Sequence, residues 1–227
     1  MTRDPVAEPL TRSAEDYLKA IYTLSGDAPA STNQIAQRLE LAPASVSGMI
    51  RRLSDQGLLD HEPYRGVVLT ESGRQVALRM LRRHRLIEAY LVAFLGYRWD
   101  NVHEEAERLE HAVSDDLVER MAEALGNPRF DPHGDPIPDS DGAIHELVYT
   151  SLCGLPEGES AELRRADTSD DARLRYLAEA GLVPGARVTV VNREPFEGPV
   201  TVRVNDADRI IAHDLAALLH CVRDEHT

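Results

Sequence analysis

The sequence predicts a mainly α-helical protein that carries a small β domain at its C-terminus. Three observations support this fold class. Apolar residues recur at helical spacing along most of residues 13–125, and two short apolar runs near residues 58–69 interrupt them. A segment rich in Pro, Gly and Asp follows at residues 129–142, after which short strand-like runs replace the helical pattern. We therefore expect three domains, at residues 1–73, 74–142 and 143–227.

Length and composition are those of a globular protein with two or three domains. Of the 227 residues, 42% are hydrophobic, which is enough for packed cores. The sequence has neither a signal peptide nor a run of eighteen apolar residues, so we expect a cytoplasmic protein that binds no membrane. Cys153 and Cys221 lie far apart and outside any CxxC pair, which argues against a disulfide framework and a thiolate zinc site.

The net charge of −14 is distributed unevenly along the chain. Residues 1–95 hold 12 Lys and Arg against 11 Asp and Glu, whereas residues 96–227 hold 13 against 28. Strong negative charge disfavours contact with phosphate. The first part of the chain is therefore the only candidate for binding nucleic acid.

Three helices and a hairpin are predicted near the N-terminus. Ser13-Ala-Glu-Asp16 has the form of a helix-capping sequence, so a first helix should begin there and end near Gly26. Ser31-Thr-Asn-Gln34 is a capping box for a second helix. Pro43 opens a third helix, which Gly57 closes. Two short apolar runs then predict a hairpin.

The third helix has the surface expected of a DNA-recognition helix. Its outward face presents small groups first and cations afterwards, which allows close approach to base edges in a major groove about 12 Å wide. Three helices followed by a hairpin form a winged helix-turn-helix, with Arg65 at the tip of the wing. A generic small helical domain is the alternative. The residues predicted to contact DNA are Pro43, Ala44, Ser45, Ser47, Gly48, Arg51, Arg52 and Arg65.

Candidate metal ligands are concentrated in the helical middle domain. A long helix, capped near Thr70, carries His84 and Glu88 at positions i and i+4 on one face. If the next helix runs through residues 103–111, four ligands share roughly a third of its circumference. These are His103, Glu107, Glu110 and His111. The alternative is a solvated charged face with incidental histidines.

The remaining elements are a third helix of the middle domain and a β domain. The third helix should follow Ser114, and the apolar positions on these helices exceed the needs of one small bundle, which predicts a dimer interface. In the β domain, one helix from about Asp170 interrupts short strands, which is typical of a small β-barrel. The strands are expected at residues 160–165, 186–191, 200–204 and 209–212. We expect His133, His145, His213, His220 and His226 to be structural or exposed.

The sequence resembles the diphtheria toxin repressor family of metal-dependent regulators, and within it the manganese transport regulator branch. The resemblance covers nearly the whole chain, and Leu177 to Gly185 looks like part of the SH3-like domain of the longer members. The motifs that carry it are Glu15-Asp-Tyr-Leu-Lys-Ala-Ile-Tyr22, Tyr64-Arg-Gly-Val-Val-Leu-Thr70, Arg83-His-Arg-Leu86, Val102-His-Glu-Glu-Ala106, Leu109-Glu-His-Ala-Val-Ser-Asp115 and Gly134-Asp-Pro-Ile-Pro138.

The resemblance implies a dimeric transcriptional repressor whose affinity for palindromic operator DNA is switched on by a divalent metal. The implied primary site consists of Asp16, Glu107, Glu110 and His111. The implied ancillary site consists of His84, Glu88, His103 and a ligand from the third domain, where Asp170 and Asp171 are the closest matches. Simpler roles remain open: Asp16 as part of a capping sequence, and Asp170 or Asp171 as acidic residues at a helix N-terminus.

The ligand set favours Mn2+ over Fe2+. Iron-responsive members hold a thioether and a thiol at two primary-site positions, where this chain has Asp16 and Glu107, and oxygen ligands suit harder ions. Fe2+, Co2+ or Zn2+ can substitute in vitro. Lys19 replaces a glutamate that supports a close-spaced second metal in the two-domain members, so two separate sites are expected.

We therefore expect a repressor that controls manganese uptake genes and has no enzymatic activity. Three alternatives remain: an Fe2+-dependent repressor of the same family, a metal-independent DNA-binding protein, and a di-metal carboxylate enzyme. The paired Glu-x-x-His motifs of the last class are missing, and an enzyme leaves the winged domain unexplained.

Overall fold

A computed structural model describes residues 10–25, 28–62, 66–145 and 147–223. The chain divides into two compact units, Met1–Arg82 with Pro138–Gly142, and Arg83–Ile137 with Ala143–Thr227. The elements confirm the predicted class of helices followed by a small antiparallel sheet. No helix in the described ranges is long and apolar enough to cross a membrane.

The first unit begins with three helices and a two-stranded antiparallel hairpin. Apolar residues at helical spacing form its core, with Leu18, Ile35, Ile50 and Leu53 fully buried. Ala30 bridges to Val67 in the second strand, which attaches the hairpin to the segment before the second helix. The elements are α1 (Arg12–Leu24), α2 (Thr32–Arg38), α3 (Pro43–Asp55), β1 (Leu59–Glu62) and β2 (Gly66–Leu69).

The start of α1 differs from the prediction. Thr11 is the N-cap, and its side-chain oxygen accepts a hydrogen bond from the backbone N–H of Ala14 at 3.3 Å. Ser13 therefore lies inside the helix, in its first turn, and the Thr11 hydroxyl supplies the side-chain cap. Asp16 lies in the second turn of α1, so helix capping does not explain its presence.

The other predicted caps of the first unit are confirmed. Ser31 and Gln34 form the capping box of α2, with the backbone N–H of Gln34 donating to Ser31 Oγ at 3.2 Å. Pro43 occupies the first turn of α3, where its missing N–H costs no hydrogen bond. Gly57 follows α3 with a φ of 71°, a left-handed conformation that glycine adopts readily.

The middle helices are α4 (Glu71–Leu95), α5 (Val102–Leu109) and α6 (Asp115–Ala124). Thr70 Oγ1 accepts from the N–H of Gly73 at 3.1 Å at the start of α4, and Ser114 caps α6 as predicted. The expectation that α5 runs through residue 111 is wrong. The helix ends at Leu109, whose carbonyl accepts from the N–H of Ala112 at 2.8 Å in the tight turn that leads to the α6 cap at Ser114.

A six-stranded antiparallel sheet forms the C-terminal part of the second unit, in the order β3-β8-β4-β5-β6-β7. Alternating buried residues such as Val188 and Val190 pack beneath it with Leu174 and Leu177 of α7. Two strands and α8 were not predicted, because β3 has two residues and β8 follows α8 without a glycine or proline between them. The elements are β3 (Thr150–Ser151), β4 (Ser160–Ala166), α7 (Asp171–Ala180), β5 (Arg187–Arg193), β6 (Val200–Val204), β7 (Ala207–Ile211), α8 (His213–Ala217) and β8 (Leu219–Arg223).

Candidate metal centre

His84 is the centre of a buried cluster of imidazoles and carboxylates in the second unit. Its Nδ1 lies 2.6 Å from Oε2 of Glu110, and its Nε2 lies 3.0 Å from Oε1 of Glu88. The same Nε2 lies 3.0 Å from Nδ1 of His103. Both nitrogens of one ring therefore face other potential metal ligands.

Two groups of ligand atoms share His84. One contains His84, Glu88 and His103, and the other contains His84, Glu107 and Glu110; within each group the ligand atoms lie within 4.8 Å of one another. His103 Nε2 lies 3.7 Å from Oε1 of Glu107, so the two groups adjoin. The predicted ancillary and primary ligands are thus close neighbours.

Short helical spacings and one arginine hold this arrangement. His84 and Glu88 are four residues apart on α4, as are His103 and Glu107 on α5. Beyond α5, Arg83 donates to the backbone carbonyl of Glu110 at 3.0 Å, which fixes the turn that presents Glu110. His111, the next residue, places its Nε2 3.5 Å from Glu110 Oε1.

A third group, which sequence reasoning missed, lies on the other carboxylate oxygen of Glu88. It contains Glu88, Asp131 and His133, all buried, and His133 Nδ1 lies 3.7 Å from Glu88 Oε2. Asp131 Oδ1 accepts from the N–H groups of His133 and Asp135 at 2.8 and 2.9 Å, which fixes the turn. The sequence signal that could have indicated this group is Asp131 and His133, a carboxylate and an imidazole two residues apart in a turn that contains Pro and Gly.

The pKa values of this cluster are strongly perturbed. Burial alone would raise the pKa of Glu88, but the charge of His84 and hydrogen bonds from neighbouring histidines hold it well below its usual range. Burial, with the charges of Asp135 and Glu88, raises the pKa of Asp131 to about 7. Burial alone would lower the pKa of His133, but Glu88 and Asp131 raise it to about 9. The buried carboxylates and imidazole thus shift one another's pKa values away from their ordinary range.

The donor set fits a divalent cation. Glu110 is fully buried and Glu88 is 2% exposed, and burying carboxylates is costly unless cations or hydrogen bonds compensate for their charge. The three groups supply only nitrogen and oxygen donors. Such a set suits Mn2+, Fe2+ or Zn2+ better than a soft ion.

Asp170 and Asp171 belong to none of these groups of potential ligands. Asp170 is the N-cap of α7, and its Oδ1 accepts from the N–H groups of Ala172 and Arg173 at 2.9 and 3.0 Å. Asp171 is in the first turn of the same helix. The ligand groups described above contain neither residue, so the contacts match the capping alternative better than a metal ligand.

The remaining predicted site residues belong to the first unit. Asp16 is half-buried on α1. Arg65 lies outside the described residues. On α3, Val46, Ile50 and Leu53 are buried, whereas every predicted DNA-contact residue is exposed. Those residues are Pro43, Ala44, Ser45, Ser47, Gly48, Arg51 and Arg52.

Comparison with known proteins identifies the family. Residues 9–67 match the iron dependent repressor N-terminal DNA binding domain, and residues 70–139 match the iron dependent repressor metal binding and dimerisation domain. The chain belongs to the iron-dependent repressor family. Residues 150–223 match the FeoA domain, which coincides with the C-terminal sheet. The family consists of metal-dependent, DNA-binding transcriptional repressors, which confirms the resemblance and leaves the enzyme alternative without support.

Family members resemble the chain along almost its whole length. The iron-dependent repressor IdeR of Mycobacterium tuberculosis is 33% identical over 229 residues, covering 95% of this chain and 98% of that protein. The diphtheria toxin repressor of Corynebacterium glutamicum is 32% identical over 228 residues, covering 95% and 97%. A manganese-dependent transcriptional repressor in complex with manganese is similar in structure, with a TM-score of 0.85, 42% identity, and coverage of 92% of this chain and 99% of that chain.

Proposed function

We propose that this protein is a Mn2+-dependent repressor, in which the metal enables a homodimer to bind palindromic operator DNA upstream of manganese uptake genes. The observation that carries the proposal is the ligand chemistry of the second unit. His84, Glu88 and Glu110 form a buried cluster with two further ligands, and all of its donors are nitrogen or oxygen. Carboxylate and imidazole donors without sulfur favour a harder divalent ion.

Two further observations favour manganese. Asp16 and Glu107 supply oxygen at the two primary-site positions where, by the resemblance, iron-responsive members carry sulfur. The structural relative at 42% identity is named for manganese dependence. The Fe2+ alternative rests on the iron-dependent repressors that are 33% identical. Affinity alone does not decide between them, because Zn2+ binds most nitrogen and oxygen sites more tightly than Mn2+.

A bound metal would act by linking the DNA-binding domain to the helices that carry the other ligands. A divalent cation supplies positive charge that offsets the repulsion among Glu88, Glu107 and Glu110. The resemblance alone makes Asp16, on α1 of the DNA-binding domain, the remaining primary ligand. A metal shared between Asp16 and Glu110 would restrict the directions in which α3 points, and so favour the DNA-competent conformation.

The proposed DNA surface is the exposed side of α3. Small side chains at its N-terminal end precede Arg51 and Arg52, and a Cβ added at Gly48 would meet no atom within 4 Å. This leaves room for close approach to base edges, while the arginines reach phosphate. Two such helices in a dimer would enter successive major grooves about 34–36 Å apart, which selects a palindromic operator.

The proposed dimer surface includes exposed apolar residues of the middle helices. Phe94 and Leu95 at the end of α4 are 54% and 60% exposed, and Leu117 on α6 is also exposed. Large apolar side chains left exposed next to one another, as Phe94 and Leu95 are in sequence, are typical of an interface. The match of residues 70–139 to a metal binding and dimerisation domain supports this assignment.

The proposed ancillary site extends beyond the predicted ligands. His84 and His103 lie 3.0 and 3.1 Å from Oε1 of Glu88, and His133 lies 3.7 Å from its Oε2, in a group of potential ligands that also contains Asp131. We assign Asp131 and His133 as further ligands, in place of Asp170 and Asp171. Two backbone N–H groups donate to Asp131 Oδ1 within the turn from Asp131 to Asp135, so both residues are positioned before a metal binds.

Fluorescence anisotropy tests the proposal directly. The operator is first selected from a random duplex library in the presence of Mn2+. The labelled operator duplex is then titrated with metal-free protein to which Mn2+, Zn2+ or, under anaerobic conditions, Fe2+ has been added. We expect Mn2+ to raise affinity at least about 10-fold, and Glu110→Ala to abolish this effect. Arg120→Ala, which alters an exposed ion pair with Asp116 on α6, is the control and should respond normally.

Each outcome of this titration has a clear meaning. No effect of any metal on operator affinity would rule out the corepressor role. Activation by Fe2+ at free concentrations where Mn2+ has no effect would establish the iron alternative instead.

A further inference from the structure

Trp99, the single tryptophan of the chain, lies in the connection between α4 and α5 and contacts His133 in two ways. Its backbone carbonyl lies 2.6 Å from Nε2 of His133. Its indole stacks on the imidazole, with ring centroids 5.7 Å apart and planes inclined by 28°. The ring of His133 is therefore held at one nitrogen and on one face.

The contact with the carbonyl determines which nitrogen of His133 can bind a metal. A carbonyl oxygen only accepts hydrogen bonds, so Nε2 of His133 must carry the hydrogen. A singly protonated ring then has its lone pair on Nδ1, the atom that lies 3.7 Å from Glu88 Oε2. The opposite tautomer would point an N–H group at Glu88 and Asp131 and could not bind a cation.

The connection that carries Trp99 is also attached to the C-terminal sheet. The indole packs against the sheet's core, and the neighbouring Asp100, which is buried, forms an ion pair with Arg175 on α7 at 3.4 Å. On the other side of His133, its backbone carbonyl accepts from the N–H of Ala166 on β4 at 3.0 Å. His133 is thus fixed jointly by the α4–α5 connection and the C-terminal sheet.

We propose that Trp99 is a positioning residue, which presents Nδ1 of His133 to the Glu88–Asp131 cluster and couples metal affinity there to packing of the C-terminal sheet. The proposal rests on the proposed function only in taking His133 as a ligand. It predicts that a change at Arg175, which contacts no proposed ligand directly, weakens metal binding. Outer contacts that orient a ligating histidine typically change metal affinity by about 10–100-fold.

The test uses the full-length metal-free protein and two probes. Isothermal calorimetry with Mn2+ measures the affinity of each class of site. The emission of Trp99 during titration with Zn2+, which is diamagnetic, reports on the stacked ring of His133. In the wild type we expect the emission to change with the occupancy of one class of site. His133→Phe, which keeps a stacked ring but has no nitrogen, should remove that change.

Variants separate positioning from general stability. Trp99→Ala should weaken the site containing His133 by about 10-fold or more, and Trp99→Phe should restore most of the affinity because it keeps an aromatic ring. Arg175→Ala should weaken the same class several-fold without a change at the other. Phe196→Ala, which removes a fully exposed aromatic side chain from the β5–β6 loop, is the control and should bind like the wild type.

Failure of this inference differs from failure of the proposed function. If calorimetry shows metal binding but Trp99→Ala and Arg175→Ala keep wild-type affinities, Trp99 has no positioning role and the repressor proposal stands. If no metal binds at all, both proposals are wrong. If Trp99→Ala does not fold, Arg175→Ala alone tests the proposal. An unchanged metal affinity in Arg175→Ala would then show that packing of the C-terminal sheet is not coupled to the site.

Discussion

Nδ1 of His84 lies 2.6 Å from Oε2 of Glu110, although the two residues are 26 positions apart in sequence. The contact joins α4 to the turn that follows α5 and brings the two predicted metal sites together. His84 was expected to serve the ancillary site alone. In the structure the other nitrogen of His84 faces Glu88, so a substitution of His84 should change metal affinity at both groups of candidate ligands.

His84→Ala should therefore weaken metal binding at both groups, whereas His103→Ala should weaken chiefly the group containing Glu88. We expect losses of at least about 10-fold in affinity, since each removed imidazole leaves carboxylates without a partner. Calorimetric titration with Mn2+ at fixed pH measures both classes of site. Loss of only one class in His84→Ala would show that the two groups act independently.

Asp16→Ala should uncouple metal binding from DNA binding. Asp16 is not a helix cap, so its removal should leave the stability of α1 nearly unchanged. We expect the variant to lose Mn2+-stimulated operator binding while the ancillary group still binds metal. Anisotropy and calorimetry on the same preparation separate the two properties. Undiminished stimulation by Mn2+ would exclude Asp16 as a ligand.

Substitutions on α3 should affect DNA binding without affecting metal binding. Arg51→Ala and Arg52→Ala should each lower the slope of log affinity against log salt by about 1 if each contacts one phosphate. Gly48→Glu should abolish operator binding, because it places a negatively charged carboxylate on the proposed DNA-contact surface, where the phosphates would repel it. Arg209→Ala, an exposed arginine of β7, is the matched control for lost positive charge. Equal effects of all three arginine variants would argue against α3 as the DNA surface.

Sequence predicted the proximity of candidate ligands that lie four residues apart on one helix, and it missed candidate ligands that only the folding of the chain brings together. His84 with Glu88, and His103 with Glu107, follow from helical periodicity, and both pairs are found. His133 reaches Glu88 only because a turn far along the chain folds back onto α4, which no periodicity encodes.

The ends of helices were the other source of error. Thr11 and Ser13 both offer a hydroxyl at the start of α1, and Thr11 is the cap; a turn at residues 109–112 separates α5 from the α6 cap at Ser114. The fold class was predictable because long amphipathic helices and alternating strands fix it with many residues at once.

A charge placed on the exposed end of α4 should dissociate the homodimer. Phe94 is 54% exposed, and among the described aromatic rings it contacts only Tyr90, at a tilt of 40°, so Phe94→Asp should leave the fold intact. Sedimentation velocity in micromolar protein should show a monomer and anisotropy a large loss of operator affinity, because one recognition helix cannot span two half-sites. Phe196→Asp, at a side chain that is 99% exposed, should remain dimeric. A dimeric Phe94→Asp variant would place the interface elsewhere.

The stability of the metal-free protein should fall between pH 6.5 and 9. The pKa of His133 is raised from 6.5 to about 9, so the folded state binds this proton more tightly than the unfolded state. The contribution of His133 to stability is fully present below pH 6.5 and is lost as the pH rises through about 9. The pKa of Asp131 is raised to about 7, so its protonation also stabilises the folded state at low pH, and that contribution is lost as the pH rises through about 7. Each kcal/mol lost should lower Tm by about 2–4 °C in a chain of this size.

Thermal unfolding with a chelator or with Mn2+ tests this dependence. With saturating Mn2+ the decrease in Tm between pH 6.5 and 9 should become smaller or reverse. The metal takes the place of the proton on His133 and binds better as the pH rises. In His133→Phe the fall above pH 6.5 should largely disappear, since the ring no longer titrates. A metal-free wild type whose Tm rises between pH 6.5 and 9 would contradict the assignment of a raised pKa to His133.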